Sequence, residues 1–174
     1  MVSNTISFDK MNLEFSMSNG LTQVFIEVLL LSGSRLAKSD SEKRFVVWLA
    51  EQDQTKKGLG MVGFDICEMP WSVPTFESDK NFLLEVILQA KNKLDWEKLA
   101  YQPEETAIFV GLNCFFELVQ QIQLCYIQSS SFLREWLQEA DNDDPILCGF
   151  PKCKKHNVFL SIFGCCICNH ESTK

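Results

Sequence analysis

Potential metal ligands are concentrated near the C-terminus of this 174-residue chain. Five cysteines and both histidines lie between positions 148 and 170, namely Cys148, Cys153, His156, Cys165, Cys166, Cys168 and His170. The other three cysteines, Cys67, Cys114 and Cys125, are scattered through apolar sequence. Scattered cysteines are typical of a hydrophobic core, whereas cysteines clustered with histidine are typical of metal ligands. We therefore expect the end of the chain to fold around a metal ion.

Four of these residues form two regularly spaced pairs, Cys153-x-x-His156 and Cys165-x-x-Cys168, with eight residues between them. Each pair allows a tight turn to direct two ligands at one ion, and a tetrahedral Zn²⁺ ion takes two such pairs. A closed set of four protein ligands indicates a structural ion, because catalytic zinc keeps one position open. The sequence predicts a structural Zn²⁺ site that folds the tail.

Three further residues, Cys148, Cys166 and His170, are alternative ligands. Cys148 and Cys153 form a less regular pair, which would replace the pair formed by Cys153 and His156. A second alternative is a set of ordinary thiols, with a disulfide formed after isolation. The spacing favours the first set of four without excluding these arrangements.

The segment from Cys153 to Cys168 resembles the zinc-ribbon and zinc-knuckle families. In the connector, Val158, Leu160 and Ile162 alternate with the intervening residues like a strand, and Gly164 turns the chain into the second pair. The resemblance implies two turns that face each other across a short β element. The connector is short for a complete ribbon.

The acidic run at 141–144, followed by Pro145, is the one convincing boundary in the sequence. Residues 1–144 contain 22 of the 23 acidic and 12 of the 16 basic residues, so the tail is weakly basic. We predict an acidic, mostly helical domain over 1–144 and a zinc-binding tail over 145–174. The net charge of −7 argues against general nucleic-acid binding, which depends on Lys and Arg.

The hydrophobic pattern predicts a mainly α fold of the α+β class, with a short β element and a C-terminal zinc-binding hairpin. Alternation over 11–17 indicates a strand. Helices are expected over Leu21–Leu31, ending at Ser32-Gly33-Ser34; from Ser39, capped with Glu42; from Ser78 or Asp79 to Lys91; from Pro103; and over 131–140. Apolar residues at steps of three and four give the fourth helix a core face of Ile108, Leu112, Phe115, Val119, Ile122 and Tyr126.

Motifs for catalysis have little support. The glycines of 58–63 match G-x-G-x-x-G, but no strand precedes them and no helix follows, so we expect a turn. Asp65 and Glu68 are interpreted as solvated loop carboxylates. Both histidines lie in the metal-binding tail, which leaves no general base for a nucleophile. We therefore expect a protein that is not an enzyme.

Two features suggest nucleic-acid binding. Residues 21–51 have the outline of a helix-turn-helix, but acidic residues accompany Lys43 and Arg44, so two packed core helices are the better interpretation. Lys152, Lys154 and Lys155 give the tail a basic run. A nucleic-acid-associated regulator that uses this tail is therefore an alternative function.

No secretory signal is evident, and the longest strongly apolar run, 28–31, is far too short to span a bilayer. We expect a cytoplasmic protein without a membrane partner. Three stretches, VVWLAEQDQ, GFDICEMPW and CKKHNVFLSIFGCCIC, are together similar to a family of small uncharacterised bacterial proteins. That resemblance implies no activity and no site residue.

The expected function is non-enzymatic protein binding or an adaptor role, in which the acidic body contacts a basic partner. An immunity-type inhibitor of a basic toxin is one version. A thiol redox sensor that uses Cys165, Cys166 and Cys168 is a further alternative.

Overall fold

A computed structural model describes residues 4–172, and the mainly α prediction is confirmed. The described residues form seven α-helices: α1 (Asn19–Leu36), α2 (Asp40–Glu51), α3 (Phe76–Lys91), α4 (Glu105–Gln121), α5 (Leu124–Ile127), α6 (Phe132–Glu139) and α7 (Cys166–Glu171). The strands are short: β1 (Thr5–Phe8), β2 (Leu13–Ser16), β3 (Asp53–Gln54), β4 (Gly60–Met61) and β5 (Phe64–Asp65). No helix within 4–172 is both long and apolar enough to cross a membrane.

The N-terminal β element is a hairpin instead of the single strand predicted over 11–17. β1 and β2 are antiparallel and are joined by a 3₁₀ turn, Asp9–Met11, after which Asn12 adopts a left-handed conformation with φ 53°. Asparagine tolerates this conformation better than most residues, so the chain reverses here. β5 then pairs with β1 in parallel, opposite Ile6 and Ser7.

Helix α1 forms the centre of the core and contacts α2, α3 and α4. The predicted end of this helix at Ser32-Gly33-Ser34 is wrong, because α1 continues to Leu36. Contacts with other elements accommodate these three small residues inside the helix. The buried Ser32 hydroxyl lies within hydrogen-bond distance of the carbonyls of Val28 and Val86. Gly33 allows α2 to approach closely, since a Cβ atom there would lie 2.8 Å from Val46 Cγ2.

Helix α2 begins as predicted. Ser39 Oγ accepts the Glu42 N–H at 3.2 Å, and the Glu42 carboxylate accepts the Ser39 N–H at 3.0 Å, which completes the capping box. The apolar face of α4 is also confirmed, with Ile108, Leu112, Phe115 and Val119 fully buried. This helix ends at Gln121, however, so the Tyr126 end of the predicted stripe belongs to α5.

Two carboxylates have structural roles that the sequence interpretation missed. Asp79 does not start α3, which begins at Phe76; it is buried and accepts hydrogen bonds from Ser41 and Thr75. Asp65 is likewise buried instead of solvated, and it accepts the N–H groups of Asp9 and Cys67 at 2.6 and 2.7 Å. Asp65 therefore holds β1 and the loop after β5 together.

The tail packs against the helical body through backbone and side-chain contacts. Lys152 Nζ donates to the Ser34 carbonyl at 2.8 Å, and the Phe159 N–H donates to Ser34 Oγ at 3.0 Å. Two isolated β-bridges, Lys152 with Phe159 and Ser161 with Gly164, replace the longer strand expected in the connector. The division into units 1–144 and 145–174 stays a prediction.

Candidate metal centre

Four side chains of the tail converge on one point. The ligand atoms of Cys153, His156, Cys165 and Cys168 all lie within 4.8 Å of one another. His156 is 1% exposed, Cys165 is buried, and the other two cysteines are half-buried. These are the four residues that the paired spacing selects, and together they can hold a metal ion.

The two pairs are placed by two different local structures. In the first, Cys153 is followed directly by a turn over 154–156 that contains His156. The N–H of Asn157 donates to the Cys153 carbonyl at 2.8 Å and closes this turn. In the second, Cys165 is the N-cap of α7 and Cys168 lies in the first turn of that helix. Gly164, with φ 85°, directs the chain into this cap.

The spacing between ligand atoms fits a tetrahedral ion. His156 Nδ1 lies 3.7, 3.6 and 3.3 Å from the sulfurs of Cys153, Cys165 and Cys168. The sulfurs of Cys153 and Cys168 are 3.7 Å apart. Metal–ligand bonds of zinc length require edges of about 3.6 Å between nitrogen and sulfur and about 3.8 Å between sulfurs. These four separations are therefore close to those of an occupied tetrahedral site.

The three thiols of the cluster differ in how readily they ionise. Burial alone would raise the pKa of the Cys153 thiol, but the backbone N–H groups of His156 and Lys155 lower it to about 6. Burial and the neighbouring Cys153 raise the pKa of Cys165 and Cys168. A bound divalent cation stabilises all three thiolates, since coordination deprotonates a thiol.

A carboxylate outside the cluster orients the histidine. His156 Nε2 lies 3.0 Å from Glu171 Oε1, and Lys155 forms an ion pair with the same carboxylate. Metal-bound histidines usually donate their second ring N–H to such a group, which fixes the tautomer. Glu171 thus leaves Nδ1 of His156 available to the metal.

The remaining candidates lie elsewhere. Cys148 is exposed, and its sulfur is 3.5 Å from the carbonyl of Asn142, outside the cluster. Cys166 and His170 form a second buried group with Asp53. The thiol of Cys166 and Nε2 of His170 lie 3.0 and 2.6 Å from Asp53 Oδ2.

This second group is spaced for hydrogen bonds. Tetrahedral coordination requires about 3.3 Å between nitrogen and oxygen ligands, and 2.6 Å is well short of that separation. Burial would raise the pKa of Asp53, but hydrogen bonds from His170, Thr55 and Cys166 lower it to about 2. Burial raises the pKa of Cys166 well above its usual value, so this cysteine stays a thiol. Asp53 therefore anchors α7 to the helical body.

Two residues that contact these side chains, Glu171 and Asp53, were absent from the sequence prediction. Glu171 is the only acidic residue of the tail and follows Cys168 by three positions, which is a usable signal. Asp53 is 117 positions from His170 and carries no comparable signal.

No protein-family model, curated protein or solved structure gives a significant match to this chain. The similarity to a bacterial family stays a prediction. The chain's own geometry carries the functional conclusions.

Proposed function

We propose that this protein is a non-enzymatic binding protein with a structural Zn²⁺ ion, and that its acidic surface binds a basic protein partner. The observation that carries the proposal is that the connector between the two ligand pairs, residues 157–164, also lines an acidic depression. An adaptor and an immunity-type inhibitor of a basic toxin are both versions of this function.

Zinc suits the metal centre better than the harder divalent ions. Three cysteine sulfurs and one histidine nitrogen are soft or borderline ligands, whereas Mg²⁺ and Ca²⁺ take oxygen ligands. All four tetrahedral positions are filled by protein, which is typical of a structural ion. Its role here is to hold the two turns and α7 together.

The acidic depression, which we call the acidic surface, has a volume of about 520 Å³. Four carboxylates, Glu139, Asp141, Asp143 and the buried Asp144, line it together with residues of the connector, including Ile162, which is 51% exposed. None of its lining residues is cationic, and these four acids form no ion pair within 4–172. Such a surface attracts a basic partner and gives it an apolar contact.

The alternatives receive less support. Of the three lysines of the basic run, Lys152 donates to Ser34 and Lys155 pairs with Glu171, which leaves Lys154 for phosphate. Of the three cysteines proposed for redox sensing, Cys165 and Cys166 are buried, whereas reactive thiols are usually accessible.

Binding of a nonalysine peptide to zinc-loaded protein at about 150 mM salt, where surface charges are strongly screened, tests the acidic surface. We expect Asp141→Asn with Asp143→Asn to weaken binding several-fold. The matched control is Glu14→Gln with Glu77→Gln, which removes two exposed charges elsewhere. Equal losses in both variants would reduce the effect to net charge and contradict the proposal. Retention of a DNA duplex at the same salt would favour the regulator instead.

A further inference from the structure

Helix α6 leaves part of its apolar face uncovered. The helix is strongly amphipathic in sequence, yet none of its residues is buried. Phe132 is 43% exposed, and Trp136 is only partly covered by the core. Because a surface helix normally buries its apolar stripe, this face is available to a partner.

A groove of about 310 Å³ runs between this face and the C-terminal end of α2. We call it the α2–α6 groove. Three aromatic side chains line it: Phe132 and Trp136 from α6, and Trp48 from α2. Four carboxylates also line it and no cationic residue does: Glu51, Glu68, Glu135 and Glu139. Aromatic rings beside carboxylates are complementary to a side chain that is both flat and positively charged.

Glu51 is the best placed of these carboxylates. Its Oε2 atom accepts the indole N–H of Trp136 at 2.7 Å, whereas its buried Oε1 atom has no hydrogen-bond partner among the described residues. Burial raises the pKa of Glu51, and the nearby charges of Asp144 and Glu139 add to this, while the Trp136 hydrogen bond and Lys57 oppose it; together these effects bring the pKa to about 7. A desolvated carboxylate with one unsatisfied oxygen gains strongly from a charged donor.

We propose that the α2–α6 groove binds an arginine side chain of a basic protein partner, with Glu51 as the acceptor and the rings of Phe132 and Trp136 as the stacking surface. A guanidinium group is planar, donates several hydrogen bonds in one plane and stacks on aromatic rings. A lysine ammonium is compact and strongly hydrated, and it makes poorer use of a flat aromatic site. Arginine with aromatic residues is also the usual composition of an interface hot spot.

This inference rests on the proposed function, because it names the contact through which the basic partner is recognised. Glu139 lines both the α2–α6 groove and the acidic surface, so the two adjoin each other. A basic segment that places one arginine in the groove can direct its other cations towards Asp141 and Asp143.

The test compares fluorescein-labelled nonaarginine and nonalysine peptides by fluorescence anisotropy on zinc-loaded protein. We expect the wild type to bind nonaarginine about tenfold more tightly, the equivalent of one cation–π contact with a charged hydrogen bond. Glu51→Gln keeps an acceptor for Trp136 and should lower nonaarginine affinity to the nonalysine level. Trp136→Phe tests the indole separately, and Glu77→Gln is the charge-matched control.

The outcomes separate the groove from the acidic surface. An arginine preference that disappears in Glu51→Gln but persists in Glu77→Gln supports the groove. Equal binding of both peptides by the wild type, or an unchanged preference in Glu51→Gln, overturns it. In that case binding that weakens in Asp141→Asn with Asp143→Asn leaves the proposed function standing, whereas binding of neither peptide overturns both.

Discussion

His156 Nε2 lies 3.0 Å from Glu171 Oε1, while the Nδ1 atom of the same ring lies within 3.7 Å of three cysteine sulfurs. One imidazole thus joins the metal centre to a carboxylate at the end of α7. Because the carboxylate accepts the Nε2 proton, the lone pair of Nδ1 faces the metal position.

Glu171→Ala should lower Zn²⁺ affinity about 10- to 100-fold, which is the usual effect of removing an outer-sphere partner of a metal-bound histidine. Competition with a chromophoric chelator measures this. Lys155→Ala is the control, because it removes the ion pair with Glu171 but keeps the contact with His156. An equal loss in both variants would assign the effect to surface charge and not to ring orientation.

Zinc content tests the identity of the ligands. Native mass spectrometry of protein purified under reducing conditions should show one Zn²⁺ in the wild type and none in Cys165→Ser with Cys168→Ser. Cys148→Ser should retain the ion, since the Cys148 sulfur lies outside the cluster. Zinc retained by the double variant would disprove this ligand set, and no zinc in any form would favour the redox alternative.

Local chemistry made much of this molecule predictable. The Ser39 and Glu42 cap, the buried face of α4 and the spacing of the four metal-site residues all depend on residues a few positions apart. The end of α1 was not predictable in this way, because Ser32 is satisfied by the Val86 carbonyl, 54 positions away. Long-range partners override the turn preference of a Ser-Gly-Ser sequence.

The same limit applies to the tail. Cys166 and Cys165 are equivalent as ligands by residue type, and spacing alone favoured Cys165. In the folded chain they are distinguished by Asp53 of β3, which lies 113 positions from Cys166. Its carboxylate accepts a hydrogen bond from the Cys166 thiol. Similarly, the sequence around Asp65 indicates a solvated loop carboxylate. In the fold this carboxylate accepts the N–H of Asp9, which is 56 positions away.

Asp53→Ala should destabilise the protein by about 1–3 kcal/mol or more at neutral pH, because Cys166 and His170 each lose a buried acceptor. Urea unfolding with saturating Zn²⁺ measures the change. Asp143→Ala removes the same charge from an exposed position and should have little effect. Similar stabilities for the two variants would show that Asp53 does not anchor α7.

The approach of α1 to α2 gives a matched pair of glycine variants. Gly33→Ala should destabilise by about 1–3 kcal/mol, because the new methyl group would lie 2.8 Å from the buried, β-branched Val46. Gly20→Ala, in the first turn of the same helix, meets no atom within 4 Å and should be neutral or stabilise by up to about 1 kcal/mol. Thermal unfolding distinguishes them. A stable Gly33→Ala protein would show that the two helices can move apart at no cost.

Glu51 makes stability depend on pH in a direction opposite to that of a paired carboxylate. Its folded-state pKa of about 7 lies above the ordinary value of 4.5. Below pH 4.5 the group is protonated in both states and costs nothing. Between pH 4.5 and 7 the unfolded chain ionises first, so the folded state loses stability as the pH rises, and the full penalty is present above pH 7.

Glu51→Gln removes this penalty while keeping an acceptor for Trp136. The stability of the variant relative to the wild type should increase from pH 5.5 to pH 8, where the variant is more stable by on the order of 1–3 kcal/mol. Urea titrations of both proteins with excess Zn²⁺ from pH 5.5 to 8 measure the difference in their free energies of unfolding. Zinc binding also depends on pH, but this effect cancels in the difference because both proteins share it. A difference that stays constant with pH would show that Glu51 titrates normally, and the desolvated carboxylate of the groove would then be absent.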